Sequence, residues 1–342
     1  MKYFHLVILT FLAQAIAAQS EKVKIKQGLN DKKVEVFIGA TRFTSFLYPD
    51  SLEKPVLYPL TTSAGTIVTR GFPLEPFPGD PIDHPHHIGL WFNFENVNGL
   101  DFWNNSYAIA AEKKKNYGWV KTDRITQTSN GKKGILAYHA NWTNQQKQIL
   151  LEEKTRLEFS GTAHTRMIDR TTTLTANTDI VFTDAKDGLL AIRLAHALQI
   201  PTKEDQKFTD NKGRQYIVKG GTDTIPTGSY LTSAGMQGNA AWGTQGRWCK
   251  AFGKMGNDSV SVIIIDHPSN YGYPNYWHAR GYGLFAANPF GNKIFTNGKS
   301  ESKLALPEGQ SLTFRYRVII DNAASTLSAA EIDALADAFG KQ

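Results

Sequence analysis

The sequence predicts an all-β protein: a large antiparallel β-sandwich closed by one short C-terminal helix. Three observations predict it. From Gly118 to Ala176 the chain is a succession of long, Thr-rich stretches parted by Asn, Gly or Asp. Stretches well beyond the usual strand length of roughly 5–6 residues imply large sheets packed face to face. Only one segment carries a full set of helix signals. Finally, no internal repeat and no linker divides the chain, so residues 19–342 are expected to form one domain behind a leader at 1–18.

Taken in order, Lys33 to Gly39 and Arg42 to Tyr48 are rich in β-formers around Gly39-Ala40-Thr41, which predicts a hairpin. Thr66 to Arg70 reads as a short strand. Between Gly71 and Pro85 stand Pro73, Pro76, Pro78, Pro81 and Pro85, a density no regular element survives. Long ordered loops in compact domains often carry function. This one delivers Asp83-His84-Pro85-His86-His87, and Ile88 to Phe94 follows as a buried strand. Asn96 to Asn105 is a second polar loop holding Asp101, Phe102 and Trp103. The long strands are Gly118 to Thr128, Gly134 to Thr143, Gln148 to Ser160 and Ala163 to Ala176; Leu189 to Ile200 is a further apolar strand with Arg193 and His196 set into it. Residues 201–247 are polar, Gly- and Thr-rich, and read as loops or an insertion. Val260 to Ile265 is a strand running into a second Asp-His-Pro, Asp266-His267-Pro268. An aromatic loop follows, through Tyr276-Trp277-His278-Ala279-Arg280, and Gly283 to Ala287 and Leu312 to Ile320 are the last strands. Ser328 with Glu331 forms a capping box, and Leu327 with Ile332 a hydrophobic staple, predicting a helix over 329–339.

Residues 1–18 have the form of a secretory signal: Lys2, an apolar run from Leu6 to Leu12, then small residues at Ala15-Ile16-Ala17-Ala18. The single cysteine, Cys249, lies far from that segment, so no lipid-attachment cysteine and no internal disulfide is expected. A periplasmic or secreted protein follows, stabilised by a large core. Its scattered basic residues argue against a nucleic-acid partner, and no stretch after the leader is apolar enough to insert in a membrane.

Three of the nine histidines and one carboxylate fall within Asp83-His84-Pro85-His86-His87. A histidine can take or give a proton near neutral pH, and a neighbouring carboxylate can fix its tautomer. Epimerisation, ring opening and β-elimination on a sugar all need such groups. The candidate catalytic residues are therefore His84, His86, His87 and Asp83, with His278, Asp266, His267 and His196 completing a cleft if the later loops meet the first. Arg70, Arg193 and Arg280 are the candidates to hold a carboxylate or polarise a carbonyl. Trp103 and Trp277, in polar loops, and Tyr276 are the candidates to stack on a sugar ring. Simpler readings stand beside these: Asp266-His267-Pro268 as a turn cap, His196 as a satisfied core histidine, the arginines as surface or ion-paired residues. His84 and His86 lie two apart as in metal-binding strands, but Glu95 is too far along for the cupin pattern. No cofactor is expected, while a metal held by two histidines and Asp83 or Asp266 stays open. The chain has no phosphate loop, dinucleotide glycine motif or Gly-x-Ser-x-Gly elbow.

Several stretches together carry a family resemblance: Val56-Leu57-Tyr58-Pro59, Asp83-His84-Pro85-His86-His87, Gly89-Leu90-Trp91-Phe92, Asn98-Gly99-Leu100-Asp101-Phe102-Trp103, Asp266-His267-Pro268-Ser269-Asn270, Trp277-His278-Ala279-Arg280 and Phe314-Arg315-Tyr316-Arg317-Val318. Over about residues 30–322 the chain resembles the exported PmoA-related proteins of unknown function. Their methane-oxygenase label belongs to a membrane-embedded subunit and does not suit this chain. The resemblance implies, by analogy of fold, a supersandwich like that of galactose mutarotase and a place in polysaccharide or keto-sugar use. It implies a histidine acid and a carboxylate base, of which only the histidine is placed by motif here. The expected function is an exported carbohydrate-active enzyme, an epimerase, lyase or hydrolase, with a non-catalytic saccharide-binding protein as the alternative and a metal-dependent oxygenase or hydrolase behind both.

Overall fold

The computed structural model of the chain describes residues 19–28, 32–210 and 212–342. The leader read at 1–18 lies outside the described residues. Two eight-stranded sheets dominate. The first runs, in spatial order, Val23–Gln27, Lys33–Ile38, Thr41–Leu47, Val56–Leu57, Leu90–Phe94, Gly188–Arg193, Leu284–Asn288, Tyr276–Ala279. The second runs Ser229–Thr232, Trp248–Met255, Asp258–Asp266, Ser311–Asp321, Thr165–Ala176, Ile149–Gly161, Gly134–Thr143, Trp119–Ser129. Strand pairing in both is antiparallel.

The second sheet shows the alternation expected of a sheet wet on one side. Gly134–Thr143 and Thr165–Ala176 bury every other residue. The buried sets meet the inner face of the first sheet in one apolar core, where Phe46 stacks on Tyr138 and Phe92 lies against Trp142 and Phe314. At the centre of this core sits a buried charge pair. Glu153 accepts from Arg170 at 2.9 Å, Tyr138 at 2.9 Å, Trp142 at 2.9 Å and Thr155 at 2.7 Å.

The middle of the first sheet is different. Leu90–Phe94, Gly188–Arg193 and Leu284–Asn288 are buried on both faces. Register puts Trp91, Ala191, Ala286 and His278 in one cross-strand row on the outer face. The proline-rich loop and the 96–118 loop cover that row, with Tyr58, Ile88, Trp103 and Tyr282 packed into the same small apolar cluster. Gly89 makes the turn from loop to strand possible: its φ is +55°, and a Cβ there would lie 2.3 Å from the Leu57 carbonyl oxygen.

The predicted helix spans Ala329–Phe339 and has the capping box: Ser328 Oγ accepts from the Glu331 N–H, and Glu331 accepts from the Ser328 N–H. Two expected strands are corrected. Thr66 to Arg70 makes only isolated bridges, Thr61 with Ile67 and Thr69 with Leu194, because its partners lie past the ends of the interior strands Val56–Leu57 and Gly188–Arg193. The strand expected to reach Ile200 stops at Arg193; Leu194 and Ala195 bond Gly283 and Val68 instead, and His196–Leu198 form a short 3-10 turn. The 201–247 stretch contains a hairpin, Gln206–Thr209 with Gln215–Val218, that bridges back to Pro81 in the histidine loop.

Candidate active site

Arg70 and Arg193 organise the histidine loop. Both side chains are fully buried, and both bond the same carboxylate oxygen, Asp83 Oδ1, at 2.7 and 2.6 Å. Arg70 also donates to the backbone carbonyls of Pro81, Asp83, His84 and His87. These arginines were expected to hold substrate; they hold the loop instead, since their charge is taken up by Asp83 beneath it. Burial opposes the charge on Asp83, but Arg193, the His84 ring and Arg70 outweigh it and keep the carboxyl well below the usual carboxylate range.

The second carboxylate oxygen, Asp83 Oδ2, bonds His84 Nδ1 at 2.5 Å. An ionised carboxylate only accepts, so Nδ1 carries the hydrogen and Nε2 of neutral His84 is left as the basic nitrogen. Arg193 donates to His87 Nδ1 at 3.2 Å, which sets the opposite tautomer there. His84 is exposed while His87 is buried. The His84 ring stacks on His87 at 4.8 Å and on Tyr282 at 4.9 Å, nearly parallel to both. His84 has φ +44°, the left-handed region, a strain that the single Arg70 bond to its carbonyl offsets. His86 lies edge-on to both other rings. Burial pushes its pKa down to about 2, with the charge of Lys54 adding, and burial holds His87 neutral as well. Of the three, His84 is the one placed to exchange protons with solvent or ligand.

Later strands bring a second, largely buried group of titratable residues near the first. His278 Nδ1 bonds the Lys186 carbonyl at 3.1 Å and lies 3.3 Å from Asp187 Oδ1. The Asp187 N–H in turn donates to Glu95 Oε2 at 3.1 Å. Burial raises both acids, Glu95 to about 7 with the Asp187 charge adding, so this pair holds a proton near neutral pH. Burial pushes His278 down to about 3. A proton gained by His84 would act on both Asp187 and His278. Burial raises the Tyr282 phenol to about 12, and the charges of Arg193, Arg280, Asp187 and Asp83 act on it as well. Beyond Tyr282 opens a pocket of about 370 Å³ whose lining includes Trp242, Ala279 and Arg280.

Glu95 offers a direct check. Its folded-state pKa lies above its ordinary value of 4.5, so its stabilising contribution is complete below pH 4.5 and is lost as pH rises through about 7. Glu95→Gln should therefore gain stability over the wild type between pH 4.5 and 7, by up to about 2–3 kcal/mol in urea unfolding. A difference that stays flat with pH would show that Glu95 is already ionised.

The other candidates fall elsewhere. Asp266 and His267 are on the second sheet: Asp266 accepts from Asn270 and the Asn275 N–H, while His267 accepts from Ser269 and packs edge-on against Phe339 of the C-terminal helix. The second Asp-His-Pro is a turn cap. His196 is paired with Asp223 at 2.7 Å and packs on Phe208, apart from the His84 rings. Trp103 and Trp277 are fully buried, against Trp91 and Phe285 respectively, so neither presents a face to a ligand. Tyr276 stacks on Phe295. Asp187, Glu95 as an acid, Tyr282 and Trp242 were not singled out from the sequence. Asp187 sits in a turn-like Asp184-Ala185-Lys186-Asp187-Gly188, and only strand register shows that it meets His278. Among the described residues, no group of three or more His, Cys, Asp or Glu side chains is arranged to hold a metal ion.

A family model described as "Family of unknown function (DUF6807)" matches residues 33–337. No curated protein matches the sequence. Among solved structures, the GH36 alpha-galactosidase AgaB from Geobacillus stearothermophilus is 12% identical with a TM-score of 0.41, over 88% of this chain and 41% of that one. The galactosidase domain of the alpha-galactosidase-sucrose kinase AgaSK is 12% identical with a TM-score of 0.38, over 90% and 42%. A galactose mutarotase related enzyme from Lactobacillus acidophilus is 7% identical with a TM-score of 0.30, over 89% and 99%. The chain thus spans about two-fifths of the galactosidase structures it resembles, and the likeness bears on none of the residues above.

Proposed function

We propose, for a chain that belongs to the DUF6807 family of unknown function, that it is a carbohydrate-active enzyme in which His84 moves a proton on a sugar or keto-sugar. The observation that carries this reading is the Asp83–His84 pair: a carboxylate fixed by two buried guanidiniums, bonded to Nδ1 of an exposed imidazole. That is the arrangement a general base needs, with geometry and tautomer set before substrate arrives. Two nearby acids, Asp187 and Glu95, are raised by burial and are the candidates to donate a proton. A carbohydrate suits the cleft because its pocket combines aromatic rings with polar side chains, Trp242 and Tyr282 beside Asn239 and Arg280. The PmoA-related resemblance is a finer label than the family match and adds no activity to this proposal. Export through residues 1–18 belongs to the same proposal and predicts recovery of a processed chain outside the cytoplasm.

The test is turnover and binding on a panel of glycosides and keto-sugars. His84→Gln should abolish turnover and keep saccharide binding. Wild type that binds saccharides with no turnover, and a His84→Gln variant that behaves the same, would instead make this a saccharide-binding protein.

A further inference from the structure

We infer that the sugar carries a carboxylate and that Arg280 holds it; this rests on reading the cleft as a carbohydrate site. The three arginines near the cleft are not equivalent. Arg70 and Arg193 are buried and share Asp83. Arg280 is exposed, and among the described residues it has no ion-pair partner; its guanidinium lies instead over two rings, 5.5 Å from the centre of Trp242 and 5.7 Å from that of Tyr282. Stacking fixes the plane of a guanidinium and leaves its N–H edges pointing outward. Those edges only donate, in a fork that matches the two oxygens of a carboxylate. A neutral sugar hydroxyl satisfies such a fork poorly.

The surroundings decide where the carboxylate sits. Two acids line the same pocket. Asp205 is matched by Lys219 at 2.6 Å, while Glu204 is exposed and has no ion-pair partner among the described residues. Glu204 opposes a carboxylate elsewhere in the pocket, so one is held at the guanidinium of Arg280, beside Tyr282. Tyr282 is the ring on which His84 stacks, so the carbon next to the carboxylate is carried toward His84. The chemistry follows. His84 Nε2 removes the hydrogen on that carbon as a proton, and the electron pair moves into the carboxylate, whose growing negative charge faces Arg280. Return of a proton from the Glu95–Asp187 pair to the opposite face inverts the carbon. Loss of the β-oxygen, with a proton from the Glu95–Asp187 pair, gives an unsaturated acid and a free hydroxyl.

The experiment is calorimetric titration of the full chain with galacturonate- and glucuronate-containing disaccharides, their carboxyl-reduced neutral counterparts and a sulfated disaccharide. Wild type should prefer a uronate over its neutral counterpart by roughly 10–100-fold, the range of a hydrogen bond to a charged group. Arg280→Gln should remove that preference, whatever its effect on the affinity for neutral sugars, and Arg280→Lys should keep part of it. Equal binding of acid and neutral sugars, no uronate binding, or a preference surviving Arg280→Gln overturns the inference. Tighter binding of the sulfated sugar than of any uronate overturns the carboxylate assignment. His84→Gln separates the two readings: it should leave the uronate preference intact while abolishing turnover. A variant that still turns over sinks the role of His84 and leaves the Arg280 result standing.

Discussion

Glu153→Ala should lower stability by about 3–5 kcal/mol, seen as a drop in the urea midpoint with the slope unchanged. Glu153 is 1% exposed and lies between the two sheets. Removing it strands the Arg170 guanidinium, which is buried over the Phe92 ring, with no charge partner. It also deprives the Tyr138 hydroxyl and the Trp142 indole N–H of their acceptor. An unpaired buried charge costs far more than the pair contributes over a well-packed apolar replacement. The double variant Glu153→Leu with Arg170→Met should therefore recover most of the loss. A single variant that loses under about 1 kcal/mol would mean that water reaches Arg170, and the pair would then have to be seen as a hydrated one.

Asp83→Ala should cost about 3 kcal/mol and disable His84 together. The stability loss arises because Arg70 and Arg193, both fully buried, lose their one shared carboxylate. About a third of the Asp83 side chain faces solvent, so the effect sits at the lower end for a broken buried pair. Since the folded-state pKa is depressed, the contribution is complete above the ordinary carboxylate value of 3.8 and fades as pH falls below it. The difference between variant and wild type should shrink in acid accordingly. Activity should fall more than stability explains, because His84 Nδ1 loses the acceptor that fixes its tautomer. Asp83→Asn should lose less stability than Asp83→Ala, because its amide oxygen can still accept from one guanidinium. Full activity in Asp83→Ala would show that the pair plays no part in proton transfer.

Local signals were enough where the cause of structure is local. The capping box placed the helix at 329–339, and the Thr-rich stretches placed the long strands to within a residue or two. The histidine loop was legible as well, because its prolines and its Asp-His pair act on adjacent residues. Burial by distant chain was not legible. Trp103 and Trp277 lie in polar segments, yet the loop folds Trp103 under Trp91, and Trp277, on the strand Tyr276–Ala279, packs against Phe285. The doubled Asp-His-Pro suggested one cleft, but the first copy lies in the loop ahead of Leu90–Phe94 of the first sheet and the second closes Asp258–Asp266 of the second. Arg193 meets Asp83 across 110 residues, and Asp187 meets His278 through strand order alone.

The strand order carries a further consequence. Leu90–Phe94, Gly188–Arg193 and Leu284–Asn288 are neighbours in the first sheet, each nearly a hundred residues from the next along the chain. Contacts of such long sequence separation form slowly, since each closes a large loop before any pairing rewards it. No proteolytic fragment or truncated chain lacking one of the three can assemble the cleft. If the proposed function holds, recovery of saccharide binding during refolding would mark completion of the whole first sheet, where far-UV dichroism would already register the locally paired strands of the second.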